Sequence, residues 1–266
     1  MHPMHDDGSS QALRAPRGGA PDVYRLDSPE APTPRPALTG VAECDLAIVG
    51  AGLTGLWAAL PAMKADPGRD VVAPHAGRIG GQASGSNGGA MFHYYRLTED
   101  QRFLWGGWDA FYHYGNRIAA VLEERPDMHA KLAAHFFTTF PQLEGLRFTH
   151  RWAGVIDTCS RFCQLWGTAL GGRVSYVLGY TGLGVAASRF GARVALDLVG
   201  GAPTELMRLQ MVRSRPLPFP PEPLRFPLIE ITRRSTAHAE LHGGRRNAWL
   251  RALDRFGLGF DSRRGG

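Results

Sequence analysis

The residues best placed to do chemistry are glycines. Gly50, Gly52 and Gly55 stand in the run Gly50-Ala-Gly-Leu-Thr-Gly55, and each answers a separate steric demand: a tight turn, close approach of backbone to a pyrophosphate, and contact of a helix with a sheet. Together with Leu53 and Thr54 they would set the N–H groups and positive dipole end of the next helix against the phosphates of a dinucleotide. A second turn, made of Gly179, Tyr180, Thr181, Gly182, Leu183 and Gly184, leads into another helical run. Its amides and helix dipole suit a position where negative charge accumulates.

The elements around these turns fit that reading. The apolar run Asp45-Leu-Ala-Ile-Val49 enters the first turn as a strand, Leu56-Trp-Ala-Ala-Leu60 leaves it as a helix, and Val71-Val72 follows as a second parallel strand, a βαβ unit. A dinucleotide site of this kind expects a carboxylate at the end of the second strand to accept a ribose hydroxyl. Residues 71–78 contain none, and His75 stands in its place, able to bond a hydroxyl but without the charge-assisted strength of a carboxylate. Arg78 offers a rival reading, a partner for the 2′-phosphate of NADP. Pro61 lies inside the predicted helix and is expected to shorten or kink it. Further on, the pattern predicts a hairpin over 92–105 turning at 98–101, a helix over 126–135 closed by Pro141, and strands over 147–156, 162–167 and 173–178. A helix over 185–199 ends at Gly200 and Gly201, followed by a helix over 203–212, a proline-rich extended crossing over 216–227, and a last helix over 247–256.

Of the 266 residues, 44% are hydrophobic and 20% charged, enough for a large core or two modest ones. A net charge of +6 invites a polyanion as partner, as an Arg-rich nucleic-acid binder would have. The arginines, however, are scattered through every segment and Lys64 and Lys131 are the only lysines, so no nucleic-acid partner is expected. Arg245, Arg246, Arg251 and Arg255 read as a solvated face, and Trp105, Trp108, Trp152 and Trp166 as core and interface. Cys44, Cys159 and Cys163 are odd in number and spaced neither as zinc ligands nor as a disulfide framework. The pairs His238/His242 and Cys159/Cys163 have helical spacing but no third ligand nearby, so no metal is expected. Residues 1–20 lack the apolar core of a secretory signal and no run of about 20 apolar residues occurs, so a cytoplasmic protein without a membrane span is expected.

The segment Gly80-Gly-Gln-Ala-Ser-Gly-Ser-Asn-Gly-Gly89, taken with residues 50–55, resembles the start of FAD-dependent oxidoreductases of the D-amino-acid oxidase type, especially the gamma-glutamylputrescine oxidoreductase-like members. Ser86 stands where an Arg is usual in them. The resemblance continues through His93-Tyr-Tyr-Arg-Leu-Thr-Glu-Asp, Leu104-Trp-Gly-Gly, His135-Phe-Phe-Thr-Thr-Phe-Pro-Gln-Leu-Glu-Gly145, Trp152-Ala-Gly-Val-Ile-Asp-Thr158 and Gly179-Tyr-Thr-Gly-Leu-Gly-Val185. In that family a long middle section separates the Ser-Gly-x-Asn-Gly-Gly motif from the His-Tyr-Tyr-Arg hairpin, whereas here Gly89 is followed at once by Ala90 and Met91. The resemblance therefore implies a family member with an internal deletion.

It also implies an α/β fold with an α+β substrate part: a Rossmann-like FAD-binding βαβ completed by the C-terminal segment, and a truncated antiparallel substrate domain. Residues 1–40 are rich in Pro, Gly, Ser and charge with too few apolar residues to repay ordering and read as a disordered extension; the implied organisation after it is a βαβ unit with the second glycine motif over 41–90 and a residual substrate part over 91–160. FAD-binding strands and helix follow over 161–201, with a helical and proline-rich extension over 202–266. FAD is the implied cofactor. Gly50, Gly52, Leu53, Thr54 and Gly55 would contact its pyrophosphate and His75 its ribose, while Ser84, Gly85, Asn87, Gly88 and Gly89 would run beside the flavin and its linker. Gly179 to Gly184 would approach the isoalloxazine. The implied partner is a small amine or amino-acid-like substrate, whose C–N bond loses a hydride to flavin N5 before the imine hydrolyses, with O2 as acceptor. Tyr94 and Arg96 would face it, Arg96 as a carboxylate clamp, and strand alternation would leave Tyr95 on the opposite side. The oligomeric state is left open. A chain that has lost the middle section could also persist as a non-catalytic remnant with weak or no FAD binding.

Overall fold

The computed structural model describes residues 36–74, 93–107, 110–201 and 203–256. Its secondary structure is mixed α/β, with three separate two-stranded sheets among the described residues. In the first, β1 (Leu46–Ala47) pairs in parallel with β2 (Val71–Val72). Hydrogen bonding extends the pairing on both sides, from Leu46 N–H to the Asp70 carbonyl as far as Gly50 N–H to the Pro74 carbonyl at 2.9 Å. Helix α1 (Leu53–Ala65) connects the two strands and begins as soon as the glycine turn ends. Pro61 does not break it, and it runs on for four residues beyond the proline to Ala65. The expected shortening is thus absent. A proline removes one N–H from the ladder, and here the neighbouring turns carry the helix through.

The antiparallel hairpin expected over 92–105 is present as β3 (Tyr94–Leu97) and β4 (Phe103–Gly106). The turn is fixed by Thr98, whose N–H donates to the Arg102 carbonyl and whose hydroxyl accepts from Arg102 N–H at 2.9 Å. After a single turn, α2 (Ala120–Glu123), the predicted helix forms as α3 (Pro126–Thr139) with Pro126 in its first turn, where a missing N–H is harmless. Hairpin and helix meet through aromatic rings. Phe136, 1% exposed, touches Phe103 and Trp105 edge to face, and Trp105 Nε1–H donates to the Leu132 carbonyl at 2.9 Å. His93 stacks on Trp105 and lies 3.0 Å from His135 Nδ1 through its Nε2.

Residues 147–156 do not form the expected strand: apart from a bridge at His150 they are irregular. β5 (Leu165–Ala169) and β6 (Val174–Leu178) then pair antiparallel. α4 (Gly184–Gly200) packs on both strands and, on its other side, along α1, so it is the central layer of three. Trp166, Val194 and Val212 form the buried cluster at its foot, surrounded by Val177, Phe190, Leu198 and Leu206. Gly201 ends α4 in the left-handed conformation, φ 71°, with its N–H on the Asp197 carbonyl, as two consecutive glycines lead one to expect.

Two features depart from the sequence reading. The helix expected over 203–212 is split into α5 (Glu205–Arg208) and α6 (Gln210–Arg213), because Leu209 leaves the helical conformation, with ψ at 137°. The proline-rich crossing ends early, since α7 (Arg225–Leu241) starts two residues before Pro227 and holds that proline in its first turn. The final helix, α8 (Ala248–Arg255), is capped by Asn247, whose side chain accepts from Leu250 N–H at 3.0 Å and donates to Ser235 on α7.

Trp166 is the keystone of the central layers. It is 2% exposed, packs edge-on against Phe190, and donates its indole N–H to the Gly191 carbonyl at 3.0 Å. Trp166→Ala should destabilise the fold by about 3–5 kcal/mol through the cavity it leaves, measured as a fall in the midpoint of thermal unfolding by circular dichroism.

Candidate functional site: two glycine turns joined by a tyrosine

The first glycine turn has the backbone that its sequence demands. Gly50 has φ +101°, a conformation that side chains oppose, and a Cβ added at Gly55 would lie 1.9 Å from the Gly50 carbonyl oxygen. Gly55 therefore lets the first turn of α1 press onto the loop. Ile48 approaches the same point from β1, its Cγ2 3.3 Å from that hypothetical Cβ. The first helical bond of α1 is Leu56 N–H to the Gly52 carbonyl, so the amides of Leu53, Thr54 and Gly55 lie ahead of the helical ladder.

The second turn is built from β6 into α4. Gly179 and Gly182 each have φ +78°, and Thr181 is also left-handed. Asp157 holds this turn: its carboxylate accepts from Gly179 N–H at 2.5 Å and its carbonyl from Thr181 N–H at 2.8 Å. The hydroxyls of Thr158 and Thr181 are 2.9 Å apart. Two of the amides expected to serve a ligand are thus occupied by Asp157. The first bond of α4 is Ala187 N–H to the Leu183 carbonyl, so the amides of Gly184, Val185 and Ala186 are those that lie ahead of its ladder.

The two turns, more than 120 residues apart in sequence, meet. Thr54 Oγ1 donates to the Tyr180 hydroxyl at 3.1 Å, and the Tyr180 ring lies in a notch left by Gly191, where a Cβ would stand 2.1 Å from the phenol oxygen. Below this contact α1 buries the stripe Gly55, Ala58, Ala62 and α4 buries Ser188, Gly191, Ala192 and Val194. Residues this small let two helices pack closely. Arg189 closes the edge of the interface, its guanidinium carbon 5.3 Å from the centre of the Trp57 ring. Burial pushes the Tyr180 phenol above its ordinary pKa, and the Thr54 hydrogen bond offsets part of that rise.

The other expected site residues are distributed differently. His75, Ser84, Gly85, Asn87, Gly88 and Gly89, together with Arg78, lie outside the described residues. Tyr94 and Arg96 share one face of the hairpin, as alternation requires, and Tyr95 takes the other, stacked on Phe103 and edge-on to Phe140. The Tyr94 hydroxyl rests on Gly106, where a Cβ would be 2.2 Å from it, and Arg96 is exposed opposite Leu104. Tyr94 is thereby given a packing partner within its own hairpin. A groove of about 410 Å³ opens beside the second turn and not between the two turns; it is lined by Thr158, Cys159, Tyr176 and residues 215–219. Sequence reading missed Asp157 as the group that fixes the second turn. Among the described residues no three or more His, Cys, Asp or Glu side chains gather as a metal-binding group, and no helix is long and apolar enough to cross a membrane.

Comparison with known proteins adds relatives at this point. The chain is 33% identical over 112 residues to gamma-glutamylputrescine oxidoreductase of Escherichia coli, a match covering 42% of this chain and 24% of that protein. It is similar, distantly and over part of its length, to oxidoreductases of the D-amino-acid oxidase type. A second relative is the probable oxidoreductase OrdL of Haemophilus influenzae, 27% identical over 111 residues, or 42% of this chain and 22% of the relative. The chain thus spans less than a quarter of the length of either curated relative in the matched region. No protein-family model matches the chain, and no solved structure does so either.

Two substitutions test the junction. Gly55→Ala puts a methyl group into the Gly50 carbonyl and should cost about 1–3 kcal/mol of stability, read from chemical denaturation. Tyr180→Phe keeps the ring in its notch but deletes the bond to Thr54, and should cost about 0.5–1.5 kcal/mol near neutral pH. The sign of the pH dependence follows from the raised phenol pKa: the unfolded chain ionises first, so the stabilisation held below pH 10 is lost as pH rises through the unfolded and then the folded value. Tyr180→Phe should flatten that alkaline loss in denaturation curves recorded at increasing pH.

Proposed function

We propose that this chain is an FAD-dependent oxidoreductase that oxidises the C–N bond of a small amine or amino-acid-like substrate. The observation that carries the reading is the contact between the two glycine turns through Thr54 and Tyr180, because a dinucleotide with a flavin at one end needs both turns on one side of the molecule. Gly50, Gly52, Leu53, Thr54 and Gly55 would hold the pyrophosphate, a role supported by the positive φ of Gly50 and the close seat of Gly55. His75 would bond the ribose, and Ser84, Gly85, Asn87, Gly88 and Gly89 would follow the linker. At the other end, Gly179, Tyr180, Thr181, Gly182, Leu183 and Gly184 would border the flavin ring, with the first-turn amides of α4 set to favour negative charge. Bound FAD would supply the two-electron acceptor for oxidation of the amine to an imine, which water then hydrolyses.

In the same reading, residues 41–90 and 161–201 are the two parts of a Rossmann-like cofactor unit. Residues 91–160 are what is left of a substrate unit, where Tyr94 and Arg96 would meet the amine. The name of the first relative states an amine derivative as its substrate, and this supports the substrate class proposed here. The reading assigns the reaction neither a metal ion nor a nucleic acid.

A second reading, a non-catalytic remnant, is favoured by the open face beside the first turn. Val49 is 89% exposed, and Leu56, Leu60 and Met63 are each about half exposed, although parallel strands are normally covered on both faces. Asp157 also already occupies the amides of Gly179 and Thr181.

The purified protein should carry, or take up on dialysis, close to one FAD per polypeptide, seen as flavin absorption bands, and should release hydrogen peroxide with at least one member of an amine panel. Binding without turnover on any amine would select the remnant reading. Colourless protein that takes up no FAD would remove the enzymatic one.

A further inference from the structure

The proline-rich crossing between α6 and α7 takes no part in the contact described above. In Arg215-Pro-Leu-Pro-Phe-Pro-Pro221 every residue is a proline or stands directly before one. The proline ring fixes φ at about −65°, and its bulk keeps the preceding residue out of the helical region, so the whole run favours polyproline II. Ser214, where the run begins, has φ −73° and ψ 148°, and residues 214–221 contain no helix, strand or turn.

A polyproline II turn takes about three residues, so Arg215, Pro218 and Pro221 lie along one edge. All three are exposed, and so is Leu217 at 59%, whereas Pro216 and Phe219 on the next edge are half-buried. The protein holds the run by its backbone: Arg161 donates to the Ser214 carbonyl at 3.1 Å, the Ser160 hydroxyl to the Leu217 carbonyl at 2.5 Å, and Arg225 Nε to the Pro220 carbonyl at 2.9 Å. A run ordered in this way before it meets a partner loses little entropy on docking. Among the described residues, Arg215 gives one N–H to the Trp166 carbonyl and pairs with no carboxylate. Glu222, the nearest acid in sequence, is instead taken by the Tyr112 hydroxyl at 2.6 Å.

We propose that residues 215–221 are a docking strap for a partner domain of the SH3 kind, whose groove is lined with aromatic rings and rimmed with carboxylates. The pairs Leu217-Pro218 and Pro220-Pro221, one turn apart, match the ring-lined slots of such a groove, and the Arg215 guanidinium at the end of the run meets its acidic rim. Charge complementarity selects this partner over a basic or purely apolar surface. Arg213, just ahead of the run, is exposed as well and adds to the positive charge at that end. The strap stands apart from the flavin reading and does not depend on it.

Isothermal titration of the purified protein with a recombinant SH3 domain that reads Arg-x-x-Pro-x-x-Pro peptides tests the proposal. Parallel titrations use Arg215→Glu, Pro218→Ala, the control Pro203→Ala, which changes an exposed proline outside the strap, and a synthetic peptide of residues 213–223. Wild type, the control and the peptide should each bind saturably at one domain per chain. Arg215→Glu and Pro218→Ala should each weaken binding about tenfold or more, with the far-ultraviolet circular dichroism of Pro218→Ala unchanged, since that side chain is exposed. A domain that binds the peptide but not the folded protein would show the strap to be a structural brace only and overturn the proposal, as would binding to neither, or a Pro218→Ala titration that superimposes on wild type.

Discussion

The structure depends on two helices lying close enough to bury glycine and alanine. α1 carries Gly55, Ala58 and Ala62 on one stripe, α4 answers with Ser188, Gly191 and Ala192, and Tyr180 locks the upper end by filling the Gly191 notch and meeting Thr54. Apolar area alone does not set this geometry. Side chains so small contribute modest transfer energy, and the interface instead gains from the density with which backbones pack. A side chain at Gly55 would meet the Gly50 carbonyl and one at Gly191 the Tyr180 hydroxyl, so each glycine seats one of the two turns against its helix. The same contact therefore ties the first strand pair to the C-terminal hairpin, which no shared sheet joins among the described residues.

That dependence shapes what the candidate site can do. A helix start is an anion site only where its first amides remain outside the ladder. Both α1 and α4 meet this condition, but Asp157 has claimed part of the second turn. An aspartate here has two effects: it orders the turn without any ligand, and it puts a negative charge close to where a reduced flavin would also be negative. The first effect favours a preformed loop, and under the proposed function the second would oppose tight binding at the flavin end.

Much of this was legible in the sequence where backbone chemistry speaks locally. The βα turn was marked by three glycines between an apolar run and a helix former, the hairpin by Thr98-Glu-Asp-Gln101, and the end of α4 by Gly200 and Gly201. The misses have equally physical causes. Residues 147–156 have strand-like composition but, among the described residues, form only the bridge at His150, and strand propensity without a ladder does not make a strand. Pro227 suggested an extended chain, yet proline in a first turn costs a helix little, and Leu228, Glu230, Arg233, Arg234, Ala237, Ala239, Glu240 and Leu241 favour helix among the residues after it. Pro61 was overruled by tertiary packing of the stripe on either side of it. At the site, the glycines announced the two turns, but their meeting was not written locally, since Thr54 and Tyr180 carry no mark of each other. Asp157 was likewise silent, being an ordinary acidic residue until the chain folds Gly179 onto it.

The central position of α4 also sets an order of assembly. β5, β6 and α4 are neighbours in sequence and can associate as soon as they exist, whereas α1 has its stripe ready long before a surface to receive it has been made. During synthesis the N-terminal βαβ unit must wait, its apolar side chains uncovered, until Gly200 has left the ribosome. Val49 and its neighbours are thus uncovered in the nascent chain and stay exposed once it has folded.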